Sequence, residues 1–220
     1  MTTVNSSKSV GLVGLGIMGS AMAPNLLAAG FQVVGFDVSP ERMKAFVAAG
    51  GTPAASPQAV AEAAPIVITS LPSVAALNAV VLGPQGLMAA QVPGRILVET
   101  STLPIEDKQA VHDQAKGWHM LDCPLSGTGA QAAKKDLLVY ASGNSQAIAA
   151  CSHVFNGFAK AHYDVGAFGN GSRMKFVANL LVAIHNVAAA EAFALGMKAG
   201  VALNPHTPVD LVADVLQALG

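Results

Sequence analysis

"VGLVGLGIMGSAMAPNLLAAG", residues Val10 to Gly30, is apolar almost throughout and long enough to cross a bilayer. The order of its glycines gives it another reading. Gly14, Gly16 and Gly19 form G-x-G-x-x-G. Before them, Val10-Gly11-Leu12-Val13 reads as a short buried strand; after them, Ser20 to Ala29 reads as a helix closed by Gly30. A secretory signal needs a basic leader and a cleavage site, and Lys8 is the one basic residue ahead of the apolar run. A second strand, Phe31 to Phe36, ends in Asp37, 18 residues past the last glycine, where the ribose of a dinucleotide sits.

Strand, glycine turn, helix, strand and terminal acid make one unit, and the unit is a dinucleotide site. Glycines at 14, 16 and 19 let the backbone approach a pyrophosphate, whose charge the exposed N–H groups at the helix start stabilise, and Ile17 and Met18 between the glycines are expected at the cofactor too. Asp37 can accept hydrogen bonds from both ribose hydroxyls and would repel a 2′-phosphate, so NAD is expected over NADP. Arg42 is near enough in sequence to soften that preference.

Composition bounds what surrounds this unit. Hydrophobic residues make up 52% of 220 and charged residues 11%, so the chain can bury a large core, with apolar surface left for another chain or for further sequence. A net charge of −1, with no basic run, argues against nucleic acid as a partner. Cys123 and Cys151 make no disulfide framework and suit a reduced, cytoplasmic setting; no metal site is expected from the scattered histidines.

Along the chain, short apolar strands alternate with helices: Pro40 to Ala49, Ile66 to Pro72, Arg95 to Thr102, "IEDKQAVHDQAKG" as a polar amphipathic helix, "HMLDCPLSG", "LLVYASG", "QAIAACSHVFNGF", and "AHYDVG" closing the sheet. The pattern predicts an α/β fold, a Rossmann-type doubly wound and mostly parallel sheet with helices on both faces. Ligands should then lie beyond the carboxyl ends of the strands, near Asp37, Leu71-Pro72, Thr100 to Thr102 and Ser126-Gly127. After Gly166 the pattern changes to one long helix, and "LNPHTPVDLVADVLQALG" begins another. Residues 1–167 read as the NAD-binding domain, and 168–220 as an incomplete helical domain for substrate binding and dimerisation.

Lys175 and Asn179 share one face of the long helix, among apolar neighbours. Such a lysine either snorkels from a helix edge or is held in a cleft with a task. In "DCPLSGTGAQ", Ser126, Gly127 and Thr128 offer hydroxyls and backbone N–H groups that could cradle a carboxylate, or simply cap the next segment.

Four motifs in order carry a resemblance: "GLGIMGSAMAPNL", "SLP" at Ser70 to Pro72, "ETST" at Glu99 to Thr102 with "DCPLSG" soon after, and "GNGSRMKFVAN" at Gly169 to Asn179. With them the chain resembles the β-hydroxyacid dehydrogenases, the group of 3-hydroxyisobutyrate dehydrogenase. The resemblance implies hydride transfer between a nicotinamide and a small 3-hydroxy acid or the matching semialdehyde. It implies Lys175 as general acid/base, Asn179 and the Ser126–Thr128 segment on the substrate, and Leu71, Pro72 and Thr102 on the nicotinamide side. It also implies a homo-oligomer formed through the C-terminal helices, no membrane role, and a chain shortened at its C-terminus. Oxidation of an alcohol needs a neutral amine near pH 7, so the lysine's pKa must fall from about 10.4 by a few units. Thr128 and Lys135 stand where the family more often has glycine, and Asn179 stands where many members have two adjacent asparagines. Two other readings remain: a non-catalytic dinucleotide-binding module, and an imine-reductase-like enzyme, against which Lys175 argues.

Overall fold

The computed structural model describes residues 8–200. The chain alternates as expected: β1 (Ser9–Val13), α1 (Ile17–Ala28), β2 (Gln32–Phe36), α2 (Pro40–Ala48), β3 (Thr52–Pro53), α3 (Pro57–Ala63), β4 (Ile66–Thr69), α4 (Val74–Leu82), β5 (Ile96–Glu99), α5 (Ile105–Gln114) and β6 (His119–Asp122). These six strands form one sheet in the order β3-β2-β1-β4-β5-β6, parallel throughout. The order reverses between β1 and β4, so the loops after these two strands meet at the switch point of a doubly wound sheet.

Period-2 alternation assigns side chains to the two faces. Val10, Leu12, Ile66, Ile68, Ile96 and Val98 pack on one side with Met22 and Leu26 of α1. Val13, Val67 and Leu97 pack on the other with Val60, Leu77 and Val111 of α3, α4 and α5. Burial on both faces is what makes these strands read as continuous apolar runs.

The second half departs from the expected single sheet. β7 (Leu125–Ser126), α6 (Gly129–Ala133), β8 (Leu138–Ala141), α7 (Ser145–Phe158) and β9 (Ala161–Asp164) follow, and β7-β8-β9 form a sheet of their own, with β7 antiparallel to β8. "AHYDVG" therefore closes this small sheet and not the large one. One antiparallel bridge, Asp122 to Ser142, links the two sheets.

α1 also starts earlier than Ser20. Gly16 is its N-cap, and Gly19 lies inside the helix, where a Cβ would stand 2.0 Å from Gly14 O. The long helix α8 runs Asn170–Lys198. The first compact unit extends to Lys175, and the remainder of α8 belongs to a second unit. In that second unit Phe176, Leu180, Val182 and Ile184 are exposed. The helix expected in "LNPHTPVDLVADVLQALG" lies outside the described residues.

Candidate active site at the switch point

The loops after β1 and β4 touch: Ser70 N donates to Val13 O at 3.0 Å, and Gly14 packs so closely on Ser70 that a Cβ would stand 2.1 Å from Ser70 O. Gly14 also has φ +92°, a conformation that favours glycine. Gly14 and Gly19 are thus required by the fold itself. Gly16 is not. Its φ of −68° and ψ of −159° suit any residue, and a Cβ would meet nothing nearer than Arg42 Nη1 at 3.9 Å. The bare backbone at Gly16 opens onto a cleft of about 470 Å³ lined by Gly14, Ile17, Met18, Asp37, Leu71 and Pro72, among others. Ile17 and Val38 expose apolar side chains at 78% and 87%.

The start of α1 carries no side-chain cap, whereas Ser39, Ser56, Ser73, Thr128 and Asn144 cap α2, α3, α4, α6 and α7. The first amides of a helix have no intrahelical acceptor, so those of α1 are available to an anion. Beside them Asp37 is buried, its oxygens accepting from Leu15 N at 2.7 Å and Ser39 N at 2.8 Å. Arg42 Nη1 stands 3.5 Å from the same carboxylate. Two backbone N–H groups fix the acid's orientation and leave it lone pairs for hydroxyl donors. Open backbone at Gly16, an uncapped helix start and an oriented acid fit a dinucleotide.

Thr102, also expected here, is exposed on the loop after β5 and does not line this cleft. Its neighbour Ser101 does act on the site, because Ser101 Oγ accepts from Leu71 N at 2.8 Å.

Ser126 is half-buried at the end of β7, and Gly127 has φ +133° with Leu137 against the place of a Cβ. Thr128 forms a capping box with Gln131: its N–H donates to Gln131 Oε1 at 2.9 Å, and its hydroxyl accepts from Gln131 N at 3.3 Å. The capping alternative is therefore realised at Thr128, and its amide is already engaged; the hydroxyl proton is what remains for a ligand. Lys135 has φ +60°, which shows why glycine would suit that position.

Lys175 is half-buried near the start of α8, and burial pushes its amine below the ordinary lysine range. Asn179 lies one turn on, exposed, in the second unit. Cys123 and Cys151 are buried free thiols; burial pushes the first well up and the second up to about 12, so both stay protonated and inert at neutral pH. Among the described residues no group of three His, Cys, Asp or Glu side chains is arranged to hold a metal.

Sequence reasoning missed one cluster. Lys108 is fully buried, with Nζ 2.6 Å from both Glu99 Oε2 and Asp122 Oδ1 and 2.7 Å from Ser101 O. The Glu99 contact is an ion pair without hydrogen-bond alignment, since Glu99 Oε2 has no directed donor. Burial pushes the Glu99 carboxyl up against the opposing charge of Lys108. For Lys108 burial disfavours the charge, but the two carboxylates outweigh it and raise its pKa. A signal was present: Lys108 sits one turn before Val111 and two before Ala115, on the buried stripe of α5.

The matching family is the NAD binding domain of 6-phosphogluconate dehydrogenase, over residues 9–169. L-threonate dehydrogenase of Cupriavidus necator is 37% identical over 209 residues, which are 94% of this chain and 70% of that protein. The chain belongs to the β-hydroxyacid dehydrogenase family. NAD-dependent L-serine dehydrogenase of Pseudomonas aeruginosa is another relative, 33% identical over 88% of this chain and 65% of that one. Among solved structures, Mycobacterium tuberculosis 3-hydroxyisobutyrate dehydrogenase with L-serine superposes with a TM-score of 0.81 at 33% identity. That match covers 88% of this chain and 66% of the other, so the chain spans about two thirds of these hydroxyacid dehydrogenases. It carries their NAD-binding domain.

Proposed function

We propose that this chain is an NAD-dependent dehydrogenase of a small, carboxylate-bearing 3-hydroxy acid, or a reductase of the matching semialdehyde. The observation that carries the reading is Lys175: an amine held below its ordinary pKa by burial, on a chain whose switch-point cleft suits a dinucleotide. Bound nicotinamide supplies the hydride acceptor. Lys175 Nζ takes the proton of the substrate hydroxyl as the carbinol C–H bond breaks, so alcohol and NAD become carbonyl, NADH and a proton. Leu71 and Pro72 form an apolar wall on the nicotinamide side and keep water out. Ser126 Oγ, Gly127 and the Thr128 hydroxyl take the substrate carboxylate, with Asn179 assisting at the substrate. Asp37 holds the ribose and disfavours a 2′-phosphate.

α8 is long and apolar enough, by length and composition alone, to cross a membrane. We read it as the first helix of a second domain, through which two copies associate in the cytoplasm, because alignment with a dehydrogenase covers 94% of the chain.

The test is nicotinamide reduction with NAD and with NADP, against 3-hydroxyisobutyrate, glycerate, threonate and 3-hydroxypropionate. Turnover on one of them with NAD, lost in Lys175→Ala while NADH still binds, is the expected result. NADH binding with no turnover on the panel would leave the domain a non-catalytic dinucleotide binder and refute the reading.

A further inference from the structure

We propose that the buried Glu99–Lys108–Asp122 cluster is a positioning device, holding the nicotinamide-side loop at Leu71 and the Lys175-bearing first turns of α8 in a fixed mutual register. The proposal rests on the dehydrogenase reading for its catalytic consequence.

One arm of the cluster reaches the cofactor loop. Ser101 is clamped at three atoms: its N–H donates to Glu99 Oε1 at 2.9 Å, its carbonyl accepts from Lys108 Nζ at 2.7 Å, and its Oγ accepts from Leu71 N at 2.8 Å. Leu71 therefore sits where Glu99 and Lys108 place it.

The other arm reaches α8. Asp122 Oδ1 accepts from Lys108 Nζ at 2.6 Å and from Ser172 Oγ at 2.8 Å, and Oδ2 accepts from Ser172 N at 2.8 Å. Ser142 Oγ adds a second anchor, accepting from Gly171 N at 3.0 Å. Gly171 is wedged so tightly that a Cβ would stand 2.4 Å from Tyr140 O and 2.5 Å from Asp122 O. A carboxylate at a helix N-terminus is favoured by the helix dipole, so Asp122 fixes the helix in position as well as in direction. Lys175 follows Ser172 by one turn.

Stability alone is a weak reason for such a cluster. Burying an ammonium and two carboxylates carries a large desolvation penalty, and apolar side chains of the same volume often stabilise as well or better. Directed bonds do what apolar packing cannot: they specify which atoms meet. Hydride and proton transfer need that, since a displacement of about 1 Å can cost about 100-fold in rate. Glu99, Asp122 and Ser172 each come from one of the motifs that carry the family resemblance, and Lys108, from the helix between them, joins the three.

The experiment uses the purified full chain with Ser172→Ala, Ser172→Thr, Ser101→Ala and Lys108→Met. Three quantities are read: kcat, the Kd for NADH by fluorescence titration, and the Lys175 titration followed by NMR of ¹³C-methylated lysines without cofactor. For Ser172→Ala we expect kcat to fall at least tenfold, the NADH Kd to stay within threefold, and Lys175 to titrate nearer a free lysine. Ser172→Thr, which keeps the hydroxyl, restores both. Ser101→Ala lowers kcat with the Lys175 titration unmoved, because it acts on the other arm. Ser172→Ala with kcat and Lys175 titration as in wild type, and only a lower Tm, would overturn the proposal. The serine variants keep the ion cluster whole, so they decide the matter even where Lys108→Met does not fold. If wild type turns over no hydroxy acid, the dehydrogenase reading fails, and the Lys175 titration still tells whether the cluster positions the helix.

Discussion

Gly16→Ala separates binding from folding more sharply than any other single change. The backbone at Gly16 (φ −68°, ψ −159°) accepts alanine without strain, and the nearest atom to the new methyl is Arg42 Nη1 at 3.9 Å. Replacing glycine at a compatible site stabilises by about 0.4–1 kcal/mol through the unfolded chain. Alanine is a poorer N-cap than glycine by a comparable amount, about 0.5–1 kcal/mol, so the two effects nearly cancel. The folded state should change by less than about 0.5 kcal/mol, a Tm shift within about 2 °C for a domain of this size. The methyl does, however, project toward the cleft at the uncapped start of α1, where the pyrophosphate must approach. NADH should bind at least tenfold more weakly, about 1.4 kcal/mol or more. Thermal unfolding by circular dichroism and NADH fluorescence titration measure the two quantities on one sample. Gly19→Ala is the counterpart: its Cβ would stand 2.0 Å from Gly14 O, a backbone atom, so it should cost about 1–3 kcal/mol of stability through forced backbone shifts. If Gly16→Ala bound NADH as wild type does, the reasoning that reserves Gly16 for the cofactor would be wrong.

Burial holds Lys175 below its ordinary value, so its neutral form is populated at lower pH than in free lysine, and oxidation should rise with pH with its midpoint below that of a free lysine. Lys175→Arg, charged at all accessible pH, should lose about 100-fold or more in kcat, and a pH profile that stays flat would count against a lysine base. Glu99 has the opposite sign to an ordinary carboxylate: its folded pKa is raised above 4.5, chiefly by burial, so at pH between the unfolded and folded values the folded state keeps a proton that the unfolded chain has released. Its contribution is full below 4.5 and is lost as pH rises through the folded value, so the stability of wild type relative to Glu99→Gln should fall as pH rises above 4.5; urea unfolding at stepped pH measures the difference, and one constant with pH would refute the reasoning. Lys135→Gly relieves a φ of +60° worth about 1–2 kcal/mol, offset in part by glycine's looser unfolded chain. It should raise Tm by about 1–2 °C with NADH binding unchanged, and a lower Tm would mean that the left-handed turn is not strained.

The large sheet and the glycine turn could be read in the chain because both are local. Val10 to Val13 and Ile66 to Thr69 are short apolar runs, and a parallel strand covered on both faces needs no partner's identity to look like one. Asp37 was legible as well, since a strand end and a spacing fix its place. Lys175 could be singled out as a charge among apolar neighbours, and its lowered pKa follows from its half-buried position. The sequence could not say which glycine serves the fold and which the ligand. That distinction depends on Ser70 O standing over Gly14 and on nothing standing over Gly16, a matter of ångströms between segments more than 50 residues apart. Nor could it show that β9 leaves the large sheet, because strand partners are chosen by tertiary packing and not by the strand's own residues. Lys108 is the plainest case. In "IEDKQAVHDQAKG" its spacing from Val111 and Ala115 could place it on the buried stripe but could not name its partners, and only folding brings Glu99 and Asp122, from two other strands, to within 2.6 Å of it. Local sequence determined the elements and the cofactor turn through periodicity and backbone sterics. The buried charges that tie the cofactor loop to the lysine helix exist only once β5, α5, β6 and α8 have been packed together, because an ion pair out of water depends on distance in space.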